Sequence, residues 1–331
     1  MMARWAVLAL VCSAPAYATA TPAGETTAAA DARFKNIYTT EWAWRTGQAG
    51  ISASGESQPN NGRLDDVDAA SQQRRLDYWQ DVLKQLERVD VAALSPAEQV
   101  NFAIYREQIG NFVADQRFKN RQMPFNSDSA FWSDIGYQLG GGRLRTRQDY
   151  EQYLDRLDQI PAYFDQQIAN MRAGLKRGFS VPRAVLDGRD VSIAAVAELK
   201  DPTASSFYAP FRQLPATMPT DEAQALQGQA LRRLRDEVIP AYARLLAFFR
   251  NEYLPRARKT LAAEALPDGK AFYRQQIREY TTLDLSPDAI HQIGLDQVAQ
   301  IHAQMLEVIK DTDFKGSFAE FLQFLRSDPQ F

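Results

Sequence analysis

From Asp31 onward the apolar residues of this 331-residue chain recur at three- and four-residue spacing, and this pattern limits the fold to packed helices. Phe34 to Arg45 reads as a helix carrying Trp42 and Trp44, and Leu64 to Val89 as one with Leu76, Trp79, Leu83 and Leu86 along one stripe. Ser95-Pro96-Ala97-Glu98 gives the signature of a helix start: a hydroxyl cap, proline in the first turn and an acid three residues on. The helix it opens carries Phe102, Tyr105, Ile109 and Phe112. Thr146 with Asp149 opens a long helix that Pro161 is expected to kink and Gly174 or Gly178 to end. A further long helix is expected from Asp221 to Tyr253, with Pro240 inside it and Pro255 closing it. Shorter helices are expected over 190–200, 271–280 and 317–325, and Ser286-Pro287-Asp288 caps another. Residues 52–61 read as a loop and 124–142 as irregular and aromatic. No alternating run long enough for a strand occurs and no internal repeat is visible. The expected fold is all-α, a multi-helix array with little or no β structure.

The first residues carry an address. Arg4, the apolar run Trp5 to Cys12 and the small residues Ala16-Tyr17-Ala18 make a signal peptide over residues 1–18, with cleavage after Ala18 or, alternatively, Ala20. The run is too short to span a bilayer, which needs about 20 apolar residues, and no later hydrophobic run is long enough to cross one. Cys12 is the only cysteine, and Val11 before it fits a lipid-attachment signal poorly. Cleavage would leave no thiol, so an exported chain, periplasmic or extracellular, must draw its stability from its core. Residues 19–32 are expected to be a disordered mature N-terminus, with a helical domain over 33–331. The net charge of −3, with arginines interspersed among acids, excludes a nucleic-acid footprint.

The chain has two histidines, His291 and His302, on one predicted helix. Eleven residues bring both rings to one face, but their backbones lie roughly 16 Å apart. A zinc ion, about 2 Å from each ligand nitrogen, cannot bridge them. They lie at one edge of an apolar stripe of Ile290, Ile293, Val298, Ile301, Met305 and Val308. Two readings stand: residues lining a cleft, or boundary histidines between core and water. Arg143 and Arg145, after Gly140-Gly141-Gly142, are either carboxylate-recognising or solvated. His291, His302, Arg143 and Arg145 are therefore the candidate cleft-lining residues. Asp311-Thr312-Asp313 resembles the opening of a calcium loop, but Lys315 and Leu322 stand where oxygen ligands belong, so it reads as a helix connection. Gly-x-Ser-x-Gly, His-Glu-x-x-His and His-x-x-Glu-His are missing, and no catalytic residue or metal ligand is assigned.

Leu266-Pro-Asp-Gly269, Tyr273, the stretch Tyr280 to Leu295 with His291 and Gly294, and Phe321 to Phe331 form an ordered series. Upstream stand Tyr153 to Leu157, Ile160-Pro161, and Gly174, Arg177, Gly178, Pro182 and Arg183. Together with the Trp42/Trp44 helix, these resemble the signatures of the bacterial domain-of-unknown-function family 885. The resemblance implies an exported, mainly helical protein related to zinc peptidases, whose zinc-binding helix follows the stretch that ends this chain. On that basis the chain is expected to be the N-terminal scaffold portion of a peptide hydrolase, holding no zinc and inactive alone. Zinc and a peptide substrate would belong to the longer protein. The alternative is a non-catalytic helical binding or structural module of the bacterial envelope.

Overall fold

The computed structural model describes residues 26–48, 63–139 and 144–330, and no strand occurs among them. Among the described residues the one β feature is an isolated bridge between Phe125 and Ala130. The signal peptide with Ala18, the loop at 52–61 and Arg143 lie outside the described residues.

Three helices open the fold: α1 (Thr27–Gln48), α2 (Ala69–Leu86) and α3 (Pro96–Phe118). Asp68 caps α2 by accepting from the N–H groups of Ala70 and Ser71, and Ser95 caps α3 by accepting from that of Glu98. Phe34, Trp79, Val82, Leu86, Phe102 and Ile109 form the core between the three. Helix α1 begins at Thr27, inside the stretch expected to be unstructured. Ala28, Ala29 and Ala30 favour helix, and Ala30 and Phe34 are fully buried, so tertiary contact extends the helix toward its N-terminus.

A larger core lies among α4 (Phe131–Gln138), α5 (Arg147–Leu157), α6 (Ile160–Arg177), α7 (Val191–Ala197), α8 (Ala209–Arg212), α9 (Thr220–Arg233), α10 (Ile239–Phe248) and α11 (Leu254–Arg256). Helix α4 corrects the irregular reading of 124–142: Phe131, Trp132, Ile135 and Leu139 are an apolar helix face, too short to show a clear period. Thr146 and Asp149 form the expected capping box. The helix they open stops at Leu157, and Pro161 sits in the first turn of α6 rather than kinking a continuous rod. A proline is tolerated there because its missing N–H would have had no partner. Gly178, at φ +79°, ends α6 in the left-handed region.

From α9 to α11 the rod is continuous, as its pattern predicts. It crosses both prolines through single π turns, Leu234–Val238 before Pro240 and Phe249–Tyr253 before Pro255. The wider turn absorbs the absent N–H without breaking the apolar face of Leu234, Val238, Tyr242, Leu245, Phe249 and Tyr253.

Helix α12 (Gly269–Thr281) joins the two cores through Phe272, which packs with Phe179, Leu266 and Phe118. Helices α13 (Pro287–Asp311) and α14 (Phe318–Ser327), capped by Ser286 and by the Ser317/Glu320 box, follow as a pair outside both cores. The apolar stripe of α13 is largely in solvent, with Ile290 half-buried. Only Ile309 of this helix is buried, while Val298 and Val308 are 68% and 62% exposed. Periodicity reports which face is apolar and not whether anything covers it.

Candidate functional site

His291 and His302 are both exposed on α13. The His302 ring packs edge-on against Phe318 of α14, with centroids 5.1 Å apart. Arg145 is exposed before α5, and its backbone N–H donates to Asp149 at 2.9 Å. None of these three lines the cleft described next. The histidines do not fit the zinc site that the resemblance implies. They stand three turns apart in solvent, and among the described residues no three or more His, Cys, Asp or Glu side chains gather around a common point.

The richest concentration of polar chemistry lies elsewhere, at the end of the first bundle where α1 and α3 finish and α2 begins. Lys119, at φ +60°, ends α3 and turns the chain back, bringing Asn120 and Arg121 over that end. Trp44, Trp79 and Phe112 wall the resulting cleft, whose volume is about 320 Å³. Trp44 stacks on Tyr78 at 3.7 Å and meets Trp79 edge-on at 5.9 Å, which fixes the wall.

Beneath the cleft Glu41 is fully buried. It accepts from Trp79 Nε1 at 3.1 Å and Tyr105 Oη at 3.4 Å, and Arg45 Nη2 donates to it at 3.3 Å. Arg45 Nε lies 2.9 Å from the same carboxylate without hydrogen-bond alignment. Burial, then the Glu41 charge, drives the Tyr105 hydroxyl far above its usual range, so it stays a proton donor. Arg75 pairs with Asp65 at the rim. Burial raises the Asp65 carboxyl, and Arg75 pulls it back down in part. Asp115 is pushed up to about 6, mainly by burial and then by the nearby charge of Glu279, while Asn120 Nδ2 donates to it.

Arg121 differs from the other two arginines: it makes no hydrogen bond or ion pair with a described residue. Its guanidinium is held below the usual range by burial and by the Arg177 charge. Sequence reading missed this site because its residues come from four separate segments. The acids at 65–68 were visible only as a helix-start cluster.

The residues that carried the resemblance act mainly as clamps. Gly174 lets α6 approach the turn at 120–122 so closely that an added Cβ would stand 2.6 Å from the Phe179 carbonyl and 2.7 Å from that of Gln122. Arg177 donates to Gln122 Oε1 at 2.5 Å and to the Phe118 carbonyl at 2.7 Å, and lies 4.1 Å over the Phe179 ring. The Arg183 N–H donates to the Arg258 carbonyl at 2.7 Å, and the Tyr153 hydroxyl to that of Phe207 at 3.1 Å.

Comparison with known proteins gives a consistent picture of the fold. The model of a family described as "Bacterial protein of unknown function (DUF885)" matches residues 45–331. The crystal structure of a "putative lipoprotein" from Colwellia psychrerythraea superposes with a TM-score of 0.73 at 19% identity, covering 91% of this chain and 54% of that one. A "putative lipoprotein of unknown function" from Shewanella oneidensis superposes with a TM-score of 0.55 at 13% identity, covering 89% and 50%. The chain thus spans about half the length of these solved structures. Among curated proteins none matches.

Proposed function

The chain belongs to the bacterial family of unknown function DUF885, and from that premise we propose that it is the scaffold portion of an exported, peptide-hydrolysing protein of the cell envelope. Its helices supply one wall of a cleft, and the zinc-binding and catalytic groups come from sequence beyond Phe331. The observation that carries this reading is the bare apolar face of α13. Ile293, Val298, Ile301, Met305 and Val308 are all exposed, an arrangement expected where a helix has its partner elsewhere in a larger fold. The half-length match to the two solved structures supports the same reading. So do the clamping roles of the signature residues, which hold helices together rather than meet at one point. Among the described residues no helix is long and apolar enough to cross a membrane, and the signal peptide supports export.

The test is the complete reading frame and its product. A His-Glu-x-x-His motif downstream, with peptide hydrolysis that a chelator abolishes and zinc restores, is the expected result. A frame with no such motif, or one tightly bound zinc per chain in the 331-residue protein itself, would overturn the reading.

A further inference from the structure

Buried polar atoms without partners are uncommon in folded proteins, a few per hundred residues at most. Among the described residues seven such side-chain atoms occur, and four of them belong to residues lining the single cleft at the end of α1 to α3. They are Arg45 Nε, which the Glu41 carboxylate nonetheless meets as an ion pair at 2.9 Å, Gln116 Oε1, Asn120 Oδ1 and Arg121 Nε. Leaving one such group unsatisfied costs about 1–3 kcal/mol, so the three that have no ion pair to offset it, on Gln116, Asn120 and Arg121, point to a site shaped for something else.

The charges narrow what that is. Arg45 is committed to Glu41, and Arg75 to Asp65. That leaves one guanidinium, Arg121, without a direct ion pair to a described residue, although the Asp68 charge acts on it from a distance and Asp115 shares the lining, so it is the cation of the cleft open to a direct anionic partner. A guanidinium recognises a carboxylate through paired N–H donors. Asp115 stands in the same lining and opposes a second negative charge, which disfavours a doubly charged phosphate group. The remaining walls are Trp44, Trp79 and Phe112, an apolar slot beside the cation. At about 320 Å³ the cleft is at the small end of ligand pockets, near the size of one or two amino-acid residues.

We propose that this cleft binds a small monocarboxylate carried on an apolar or aromatic body, with Arg121 holding the carboxylate and Trp44, Trp79 and Phe112 holding the body. The proposal is independent of the hydrolytic reading, because it uses only residues of the first bundle.

The experiment is calorimetric titration of the 331-residue protein, or of its exported form, with N-acetyl-phenylalanine, followed in parallel by tryptophan fluorescence. Three comparison ligands separate the contributions: the corresponding amide lacks the charge, acetate lacks the apolar body, and inorganic phosphate supplies a different anion. Saturable binding of N-acetyl-phenylalanine is expected, with each comparison ligand at least about tenfold weaker. Arg121→Gln should weaken binding by about tenfold or more, while Arg145→Gln, outside the cleft, leaves it unchanged. Should Arg121→Gln fold poorly, Asp115→Asn gives an independent arm with the opposite sign, binding several-fold tighter at neutral pH because the opposing charge is gone. Absence of binding at millimolar concentration would overturn the proposal. So would equal affinity for the amide or phosphate, or an Asp115→Asn variant that binds no tighter than the parent.

Discussion

Removing the charge of Glu41 should cost more than any exposed ion pair in this protein. Its carboxylate has 0% side-chain exposure and its partner Arg45 has 11%. Glu41→Gln nearly conserves volume and keeps one acceptor oxygen, enough for Trp79 Nε1 or Tyr105 Oη but not for both, since they donate to different carboxylate oxygens. What it removes is the charge opposite Arg45, leaving a nearly buried guanidinium facing an amide. Breaking one side of a buried pair typically costs about 3–5 kcal/mol. Arg45 keeps its stacking over Trp42 at 4.7 Å and Phe112 at 5.1 Å and borders an open cleft. We therefore expect the low end, about 3 kcal/mol, out of a total stability on the order of 5–15 kcal/mol. Urea denaturation followed by far-UV circular dichroism measures it. The variant Arg45→Met should be destabilised too, and the double variant should recover about 2 kcal/mol relative to the sum of the singles. A loss below about 1 kcal/mol for Glu41→Gln, or strict additivity, would refute the claim that this buried pair within α1 stabilises the fold.

Gly174→Ala should lose about 2 kcal/mol or more despite the better helix propensity of alanine, because the new methyl meets two backbone carbonyls that cannot yield; urea midpoints decide this. Burial pushes the Asp115 carboxyl up to about 6, above the ordinary aspartate value of 3.8, so the stability its protonated form contributes is full below the lower value and lost as pH rises through the higher. Asp115→Asn should therefore gain on the parent by about 1 kcal/mol between pH 4 and pH 7.5, a figure reduced for the partial exposure of the site. An unchanged difference between the two proteins across that range would contradict the assignment. Val298→Asp and Val308→Asp should each change the stability of this chain by under about 0.5 kcal/mol, since both side chains are in solvent. A loss of several kcal/mol would show that α13 packs against the rest of this chain.

Much of the fold was legible because local chemistry and packing agree. Ser95, Thr146, Ser286 and Ser317 cap helices where their sequence patterns place them, and Gly178 ends α6 by supplying a positive φ. The misreadings were non-local. Helix α4 is a short apolar element whose helicity comes from burial, and α1 extends to Thr27 because Ala30 and Phe34 reach a core that no window of the sequence displays. The stripe on α13 was legible as apolar, but its exposure was not, since burial is a property of the partner. The cleft was illegible for a similar reason: Arg45, Arg75, Asp115 and Arg121 are ordinary surface residues in sequence, and only the shared end of three helices brings them together. The histidines drew attention by their scarcity, and scarcity carries no geometry.

The central claim is that α13 presents a face meant to be covered by the rest of a longer protein. Hydrogen exchange measured by mass spectrometry on α13, in the 331-residue chain and in the product of the complete gene, addresses it directly. The account predicts that α13 exchanges far faster than α10 in this chain and slows by about a hundredfold or more in the longer protein. Equal protection of α13 in both proteins, or protection in this chain matching that of α10, would contradict it.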